Sequence, residues 1–312
     1  MQSWEKQNAA AQQVDLLLFD DFSGLCLANT VEPMRAANQL SGRRLYDWRF
    51  VSVDGAPATS SSGMTVAAEP MDGTGDMLIA LPSYRFVGHA TPMVLRALRA
   101  AAGRYGVLAG FDTGAWLLAT GGLLNGRRAT IHWEELARFE EAFPDVIAQH
   151  KRHVIDGDRI TCSGAQAAFD LMVELIGATH GPTLRLEVAT LFMSPEATGP
   201  QDAPLARGKS VARAVALMQE NLEEPLPIGE VARRIGRSQK DLEARMRREL
   251  GAGPQAIYKR LRLIAARKLV LESDLSVAEV ALRAGYQDAS AFTRAFRAEF
   301  GETPRDMRFP PE

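Results

Sequence analysis

The sequence predicts two domains of different class: an α/β domain with a parallel sheet over residues 14–193, and an all-α tandem helix-turn-helix domain over residues 210–309. Three observations predict this division. Apolar runs of strand length alternate with helical stretches through the first part, as in a parallel sheet covered on both sides. A helix-turn-helix pattern occurs twice in the second part. Charge is also divided: residues 1–204 hold 16 Lys and Arg against 23 Asp and Glu, a formal −7, and residues 205–312 hold 20 against 15, a formal +5. Only the second part is equipped to meet a polyanion such as double-stranded DNA, with an affinity that falls as salt rises.

In the first part, Val14 to Phe19 is a continuous apolar run of strand length, suited to burial on both faces. Leu25 to Ser41 has helical spacing, with Pro33 expected to interrupt it. Strands are expected at Trp48 to Val53, Asp76 to Leu81 and Tyr105 to Ala109, and a helix at Pro92 to Ala102. The most informative stretch is Gly106 to Gly122, where a strand ends at Ala109, the chain turns through Gly110, Phe111 and Asp112, and a helix begins at Thr113. Groups at such a turn sit above the carboxyl ends of the strands, where open α/β sheets place their ligands. Asp112 and Trp116 are expected to share a helix face, with His132 and Trp133 beside them. A carboxylate with indoles is a cage for a cation. The alternative is that Asp112 caps the helix and Trp116 belongs to the core.

Residues 194–209, with prolines and glycines and few large apolar side chains, read as a linker. Leu184 to Phe192 before it is a candidate terminal helix of the first domain and a candidate dimer surface. Beyond the linker, Ser276 to Pro304 has the build of a helix-turn-helix: Ser276 caps a first helix, Gly285 ends it, and Asp288 caps a second that buries Phe292, Phe296 and Phe300. The opposite face carries Ala289, Ser290, Thr293, Arg294 and Arg297, small side chains first and arginines later, which suits a major groove.

The same pattern appears upstream in Ile228 to Pro254, where Leu242, Met246 and Leu250 answer the three phenylalanines, Gly236 answers Gly285, and Gly251 answers Gly301. Its reading face is Gln239, Lys240, Glu243 and Arg247. Between the copies runs a helical stretch, Gln255 to Ser273, with a comb of Lys259, Arg260, Arg262, Arg267 and Lys268. A helix there would hold two reading units for successive major-groove turns, roughly 34 Å apart.

Several chemistries are not supported. The glycines near residue 110 follow no dinucleotide fingerprint, no phosphate loop is present, and Ser163 lacks a full hydrolase signature. The histidines are scattered, and Cys26 and Cys162 have no metal-ligand spacing. No metal, cofactor or membrane span is expected, and a polar start without a signal-peptide core points to the cytoplasm, with reduced thiols.

The tandem arrangement, closing on AFTRAFRAEFGETPRDMR, resembles the DNA-binding domain of AraC/XylS regulators. The resemblance implies base reading by Gln239, Lys240 and Glu243 and by Ala289, Ser290, Thr293 and Arg294, with Ala289 able to offer only a methyl group. The run GFDTGAWLLATGGLLNGRRATIHWEE, with VEPMRAANQLSG and ITCSGAQAAFDLMVELI around it, resembles the class I glutamine amidotransferase-like (PfpI-type) domain fused to AraC units in regulators of the GlxA kind. This implies a flavodoxin-like parallel-sheet sandwich. Enzymes of that superfamily carry a cysteine at the strand-to-helix turn and a histidine about twenty residues later. Here the histidine position is His132, but the turn carries Asp112, and Cys26 stands roughly where relatives have an acid. The resemblance therefore implies a non-catalytic sensor in a regulator, favouring activation although the sequence does not exclude repression, with a small-molecule effector that is an amine, a betaine or carnitine-like compound, or an amino acid; a homodimer is expected. The competing expectation is an amidotransferase-like hydrolase or lyase carrying a DNA-binding domain.

Overall fold

The computed structural model describes residues 10–192 and 209–309. The linker expected at 194–209 lies outside the described residues but for Lys209. Two compact units emerge, residues 10–38 with 44–173, and residues 39–43 with 174–192 and 209–309.

The first unit is an α/β sandwich. In chain order it runs β1 (Gln12–Leu18), α1 (Gly24–Ser41), β2 (Tyr46–Ser52), the short strands β3 (Ala58–Thr59), β4 (Thr65–Val66) and β5 (Glu69–Pro70), then β6 (Gly75–Leu81), α2 (Pro92–Ala101), β7 (Tyr105–Phe111) and α3 (Gly114–Thr120). It continues with β8 (Arg128–Ala129), α4 (Leu136–Ala142), β9 (Ile147–Ala148), β10 (His153–Asp156), β11 (Arg159–Cys162) and α5 (Ala165–His180), which passes into the second unit at residue 174. Seven strands form the main sheet in the order β10-β11-β7-β6-β1-β2-β5. All neighbours are parallel except β10 with β11.

The central strands are apolar without alternation because helices cover both faces, and Leu16, Leu17, Leu78, Ile79, Leu108 and Ala109 are all buried. Pro33 lies inside α1, which continues through it to Ser41, so the interruption expected there does not occur. The strands β3, β4, β5, β8 and β9 are two residues each, too short for a periodic pattern to reveal them.

The second unit is all-α. Its elements are α6 (Pro182–Phe192), α7 (Lys209–Gln219), α8 (Ile228–Arg234), α9 (Gln239–Leu250), α10 (Pro254–Glu272), α11 (Val277–Arg283), α12 (Ala289–Phe300) and α13 (Pro304–Arg308). Two separate cores hold it. The first joins Leu186, Val211, Met218, Val231, Leu242, Met246, Leu250 and Leu261, while the second joins Leu263, Ala266, Val270, Val280, Phe292 and Phe296. Helix α10 serves both, with Ile257, Tyr258 and Leu261 on the first and Leu263, Ala266 and Val270 on the second. Through Leu186, α6 packs with this unit, although the sequence places it at the end of the first domain.

The local signals of the repeat are in place. Ser276 forms a capping box with Glu279, and the Asp288 side chain accepts from the Ser290 and Ala291 amides. In the other copy Ser238 accepts from the Asp241 amide. Phe292, Phe296 and Phe300 stack in succession with ring centroids 5.5 and 4.7 Å apart.

Candidate functional site

The site in the first unit begins with the turn from β7 into α3. Asp112 has φ 58°, in the left-handed region, which aspartate tolerates better than most residues. The turn is tight enough to require glycine on both sides. A Cβ on Gly110 would stand 2.6 Å from the Ala115 amide nitrogen, and one on Gly114 would stand 2.5 Å from the Ala80 carbonyl oxygen. Strain is concentrated at this rim. The three non-glycine residues with positive φ among the described residues are Asp21, Arg85 and Asp112, each in the loop following β1, β6 or β7, which are neighbours in the sheet. Asp21 and Arg85 are joined by an ion pair.

Asp112 is only 6 % exposed, and its carboxylate accepts a hydrogen bond from Ser83 Oγ at 2.9 Å. Its carbonyl accepts from the His132 amide at 3.0 Å, which fixes the backbone of His132 beside the turn. Burial raises the Asp112 pKa, while the Ser83 hydrogen bond and the charge of His132 oppose the rise. Asp112 does not cap α3: the N-cap is Thr113, whose side chain makes no cap bond and whose hydroxyl donates instead to the Ser83 carbonyl at 3.0 Å.

Trp116 sits in the core rather than in a cage with Asp112. It is 8 % exposed, packed against Phe86, Phe143 and Phe139 with centroids 5.3, 4.9 and 6.4 Å away, and covered by the Arg138 guanidinium at 4.9 Å. The expectation of one helix face for Asp112 and Trp116 fails because α3 starts at Gly114, leaving Asp112 before the helix in a left-handed conformation. Trp133 is 71 % exposed and lies against the His132 ring at 5.7 Å. Beside His132, Trp133 thus presents an exposed indole.

Both cysteines, separated from Asp112 in sequence, come close to it in the fold. Cys26 near the start of α1 and Cys162 at the end of β11 are free thiols with 1 % and 0 % exposure. Burial pushes the Cys162 thiol up to about 12, and burial together with the Asp112 charge raises Cys26 as well. Such thiols stay protonated and are poor nucleophiles. The sequence places His132 beside Asp112, but no local pattern brings Ser83 and the two cysteines to them, because these come from different strand ends. Chemically it is a buried carboxylate with one hydroxyl donor and an adjoining imidazole, a set suited to holding a cation or donor group. Among the described residues no cluster of acids, histidines and cysteines could hold a metal ion, and no helix is long and apolar enough to cross a membrane.

In the second unit, α9 and α12 follow turns at Gly236 and Gly285, and their expected reading residues divide by exposure. On α9, Gln239, Lys240 and Arg247 are exposed, and Glu243 is half-buried and accepts from Gln239 Nε2 at 3.0 Å. On α12, Ser290, Arg294 and Arg297 are exposed. Ala289 packs partly against the second core, and the Thr293 hydroxyl donates back to the Ala289 carbonyl at 2.8 Å, so these two offer less to a groove than expected. The basic comb of α10 is also largely internal: Arg260 pairs with Glu187 and Glu299, Arg262 donates to two carbonyls, and Arg267 lies over Phe300.

Comparisons with known proteins agree with this layout. Residues 13–178 match the DJ-1/PfpI family and residues 231–309 match a helix-turn-helix domain. The chain is 36 % identical over 315 residues to the HTH-type transcriptional regulator GbdR of Pseudomonas aeruginosa, covering 97 % of this chain and 85 % of that one. It is 35 % identical to the regulator CdhR of the same species (96 % and 92 % covered), and 31 % identical to the regulator GlxA of Rhizobium meliloti (95 % of each). Among solved structures, an AraC family transcriptional regulator from Pseudomonas putida aligns with TM-score 0.52 and 24 % identity over 58 % of this chain and 100 % of that one. A ThiJ/PfpI family protein from Pseudomonas syringae aligns with TM-score 0.52 and 15 % identity over 80 % and 91 %. The last two are likenesses of fold. The charge division, the doubled helix-turn-helix and the near-complete alignments converge: the chain belongs to the AraC-type HTH transcriptional regulators of the GbdR, CdhR and GlxA group, which join a DJ-1/PfpI-family domain to a helix-turn-helix domain.

Proposed function

We propose that this regulator is a cytoplasmic, homodimeric activator whose first domain binds a small effector without catalysing its turnover. In this reading the second domain contacts double-stranded DNA through Gln239, Lys240, Glu243 and Arg247 and through Ser290, Thr293, Arg294 and Arg297, with Ala289 adding a methyl contact. The effector is an amine, a betaine or carnitine-like compound, or an amino acid, held above the strand ends by Asp112 with His132 and Trp133 beside it. Trp116 supports the turn from the core side.

The observation that carries the reading is the buried Asp112 carboxylate on a strained, glycine-framed turn with a Ser83 donor. A side chain held there at such conformational cost is more useful to a ligand than to the fold. An aspartate cannot replace a thiolate in cleaving amides, and the two nearby thiols are protonated. Control of DNA binding then requires that the effector bind one arrangement of the dimer more tightly than another.

Thermal-shift screening of amines, betaines and amino acids tests this directly. A stabilising compound whose effect disappears in Asp112→Asn supports the sensor, whereas stabilisation that survives the substitution removes Asp112 from the site. The enzyme reading draws on the same turn and on His132. Turnover of amide or aldehyde substrates by the purified protein, abolished by Asp112→Ala, would replace the sensor with an enzyme.

A further inference from the structure

The two helix-turn-helix units have separate cores, so a shared interior does not fix their mutual orientation. Besides α10 itself and the Arg260 pairs with Glu187 and Glu299, a small joint connects them. From α10, Arg262 donates from Nε to the Ala284 carbonyl at 2.6 Å and from Nη2 to the Gly285 carbonyl at 2.9 Å. Its guanidinium lies 4.4 Å from the centroid of the Tyr286 ring. Ala284 is the C-cap of α11, so these are carbonyls left without helical partners at the negative end of a helix, where a cation binds well. One helical turn earlier on the same face, Tyr258 holds the first unit: its hydroxyl donates to the Asn221 carbonyl at 2.6 Å and accepts from the Leu226 amide at 3.1 Å.

The loop held by Tyr258 and the turn held by Arg262 touch. A Cβ on Gly285 would stand 2.6 Å from Pro225 Cγ and 2.7 Å from the Leu222 carbonyl oxygen. Beside this contact lies a cleft of about 480 Å³ lined by Leu226, Tyr258, Arg262, Tyr286 and Ala295 among others, so the joint is narrow and not backed by packed side chains. Arg260 is a second tie: it pairs with Glu187 of α6, which packs with the first core, and with Glu299 of α12 at 3.0 Å, but it does not reach the first unit's loop.

We propose that Arg262 is the positioning residue for paired DNA reading: by clamping the turn of the second unit to α10 against the Leu222–Pro225 loop, it sets the spacing and phase at which the two recognition helices accept their half-boxes. Arg262 itself touches no base. The inference rests on the DNA-reading function proposed above. Arginine is required because a planar fork can meet two adjacent carbonyls and stack on Tyr286 at once, which an ammonium cannot do.

The test uses the full chain and a duplex chosen by selection from a random-sequence library for two-box binding by the wild type. One base pair is then inserted between the boxes, which turns the second by about 35° and moves it about 3.4 Å. If both boxes must be engaged together, wild-type affinity falls about a hundredfold on insertion. Arg262→Met should bind the original and inserted duplexes within about threefold of each other while keeping the base preference within each box, and Arg262→Lys should lie between. A merely structural loss would weaken both duplexes alike and leave the wild-type penalty for insertion intact, and that result would overturn the proposal. Should Arg262→Met fail to keep its helical circular dichroism, Arg262→Lys is read by the same criterion, and an unrelaxed penalty overturns the proposal. Wild-type protein that binds two boxes without any dependence on spacing also overturns it while leaving DNA reading in place, whereas failure to select any two-box duplex removes the DNA-reading function itself.

Discussion

Gly236 and Gly285 are equivalent positions of the repeat, and they make an internally controlled test of how the second unit is joined. Both adopt left-handed backbone, with φ +71° and +72°. Alanine at either position meets the same strain, about 1–2 kcal/mol, and the same partly offsetting loss of freedom in the unfolded chain, roughly 0.4–1 kcal/mol. Their surroundings differ. A Cβ at 236 has nothing within 4 Å, whereas one at 285 falls 2.7 Å from the Leu222 carbonyl oxygen and 2.6 Å from Pro225 Cγ. A backbone oxygen cannot swing aside as a flexible side chain would, so the overpacking adds about 1–3 kcal/mol to Gly285→Ala alone. Urea unfolding followed by helical circular dichroism measures both variants, and all four tryptophans lie before residue 134, so their fluorescence marks the first domain separately. Equal destabilisation of the two variants, within about 0.5 kcal/mol, would refute the contact and with it the reasoning about the joint.

Other outcomes are expected elsewhere. Arg294→Ala should lose discrimination among operator sequences by about 1–3 kcal/mol at one position, whereas Arg297→Ala should weaken all duplexes alike and reduce the slope of log affinity against log salt by about 1; binding titrations at several salt concentrations separate the two. Burial holds Glu187 up to about 7 against an ordinary 4.5, despite Arg260, with Glu299 adding to the rise. Its protonated form therefore favours the folded state fully below about pH 4.5, and that contribution is lost as pH rises through 7. Relative to Glu187→Gln, the wild type should lose about 3 kcal/mol of stability across this window in denaturant melts. Ser83→Ala removes the hydrogen bond that opposes protonation of Asp112, so the pH above which a cationic effector binds should move upward in titrations of effector affinity.

The repeat was legible because its signals are local. A cap, a left-handed glycine and three apolar residues at helical spacing specify a helix-turn-helix without knowledge of distant contacts, and the constant offset doubles the signal. The strand-to-helix turn at Asp112 was legible for the same reason. What surrounds Asp112 was not: Ser83 follows β6, Cys26 opens α1 and Cys162 ends β11, and only sheet order brings these ends together. Four-residue spacing does not put Asp112 and Trp116 on one helix face, because Asp112 stands before α3 with φ 58° while Trp116 turns into the core, as the alternative reading has it. Spacing likewise marks α6 as apolar without saying which core receives Leu186. The arginines of α10 look solvated in sequence because the carbonyls that take up Arg262 lie more than twenty residues away, in the next unit of the repeat.

The turn at Asp112 and the rim around it also bear on the proposal that this domain senses rather than catalyses. Nucleophilic catalysis by a thiol needs a lowered pKa or an adjacent base that makes the thiolate available at neutral pH. Here the two thiols are held neutral by burial, and the buried Asp112 carboxylate is hydrogen-bonded by Ser83 and lies beside His132. The acid's raised pKa means that burial makes its charge costly, and the proposed cationic effector would relieve that cost. A ligand that relieves it binds in proportion to the relief, and no bond in the ligand need break. The left-handed residues at Asp21, Arg85 and Asp112 place this discharge where three neighbouring strands end in loops, the part of an open sheet that can shift while the strands stay packed. On the proposed function, neutral thiols, a buried carboxylate and strained loops suit the binding of positive charge better than covalent catalysis.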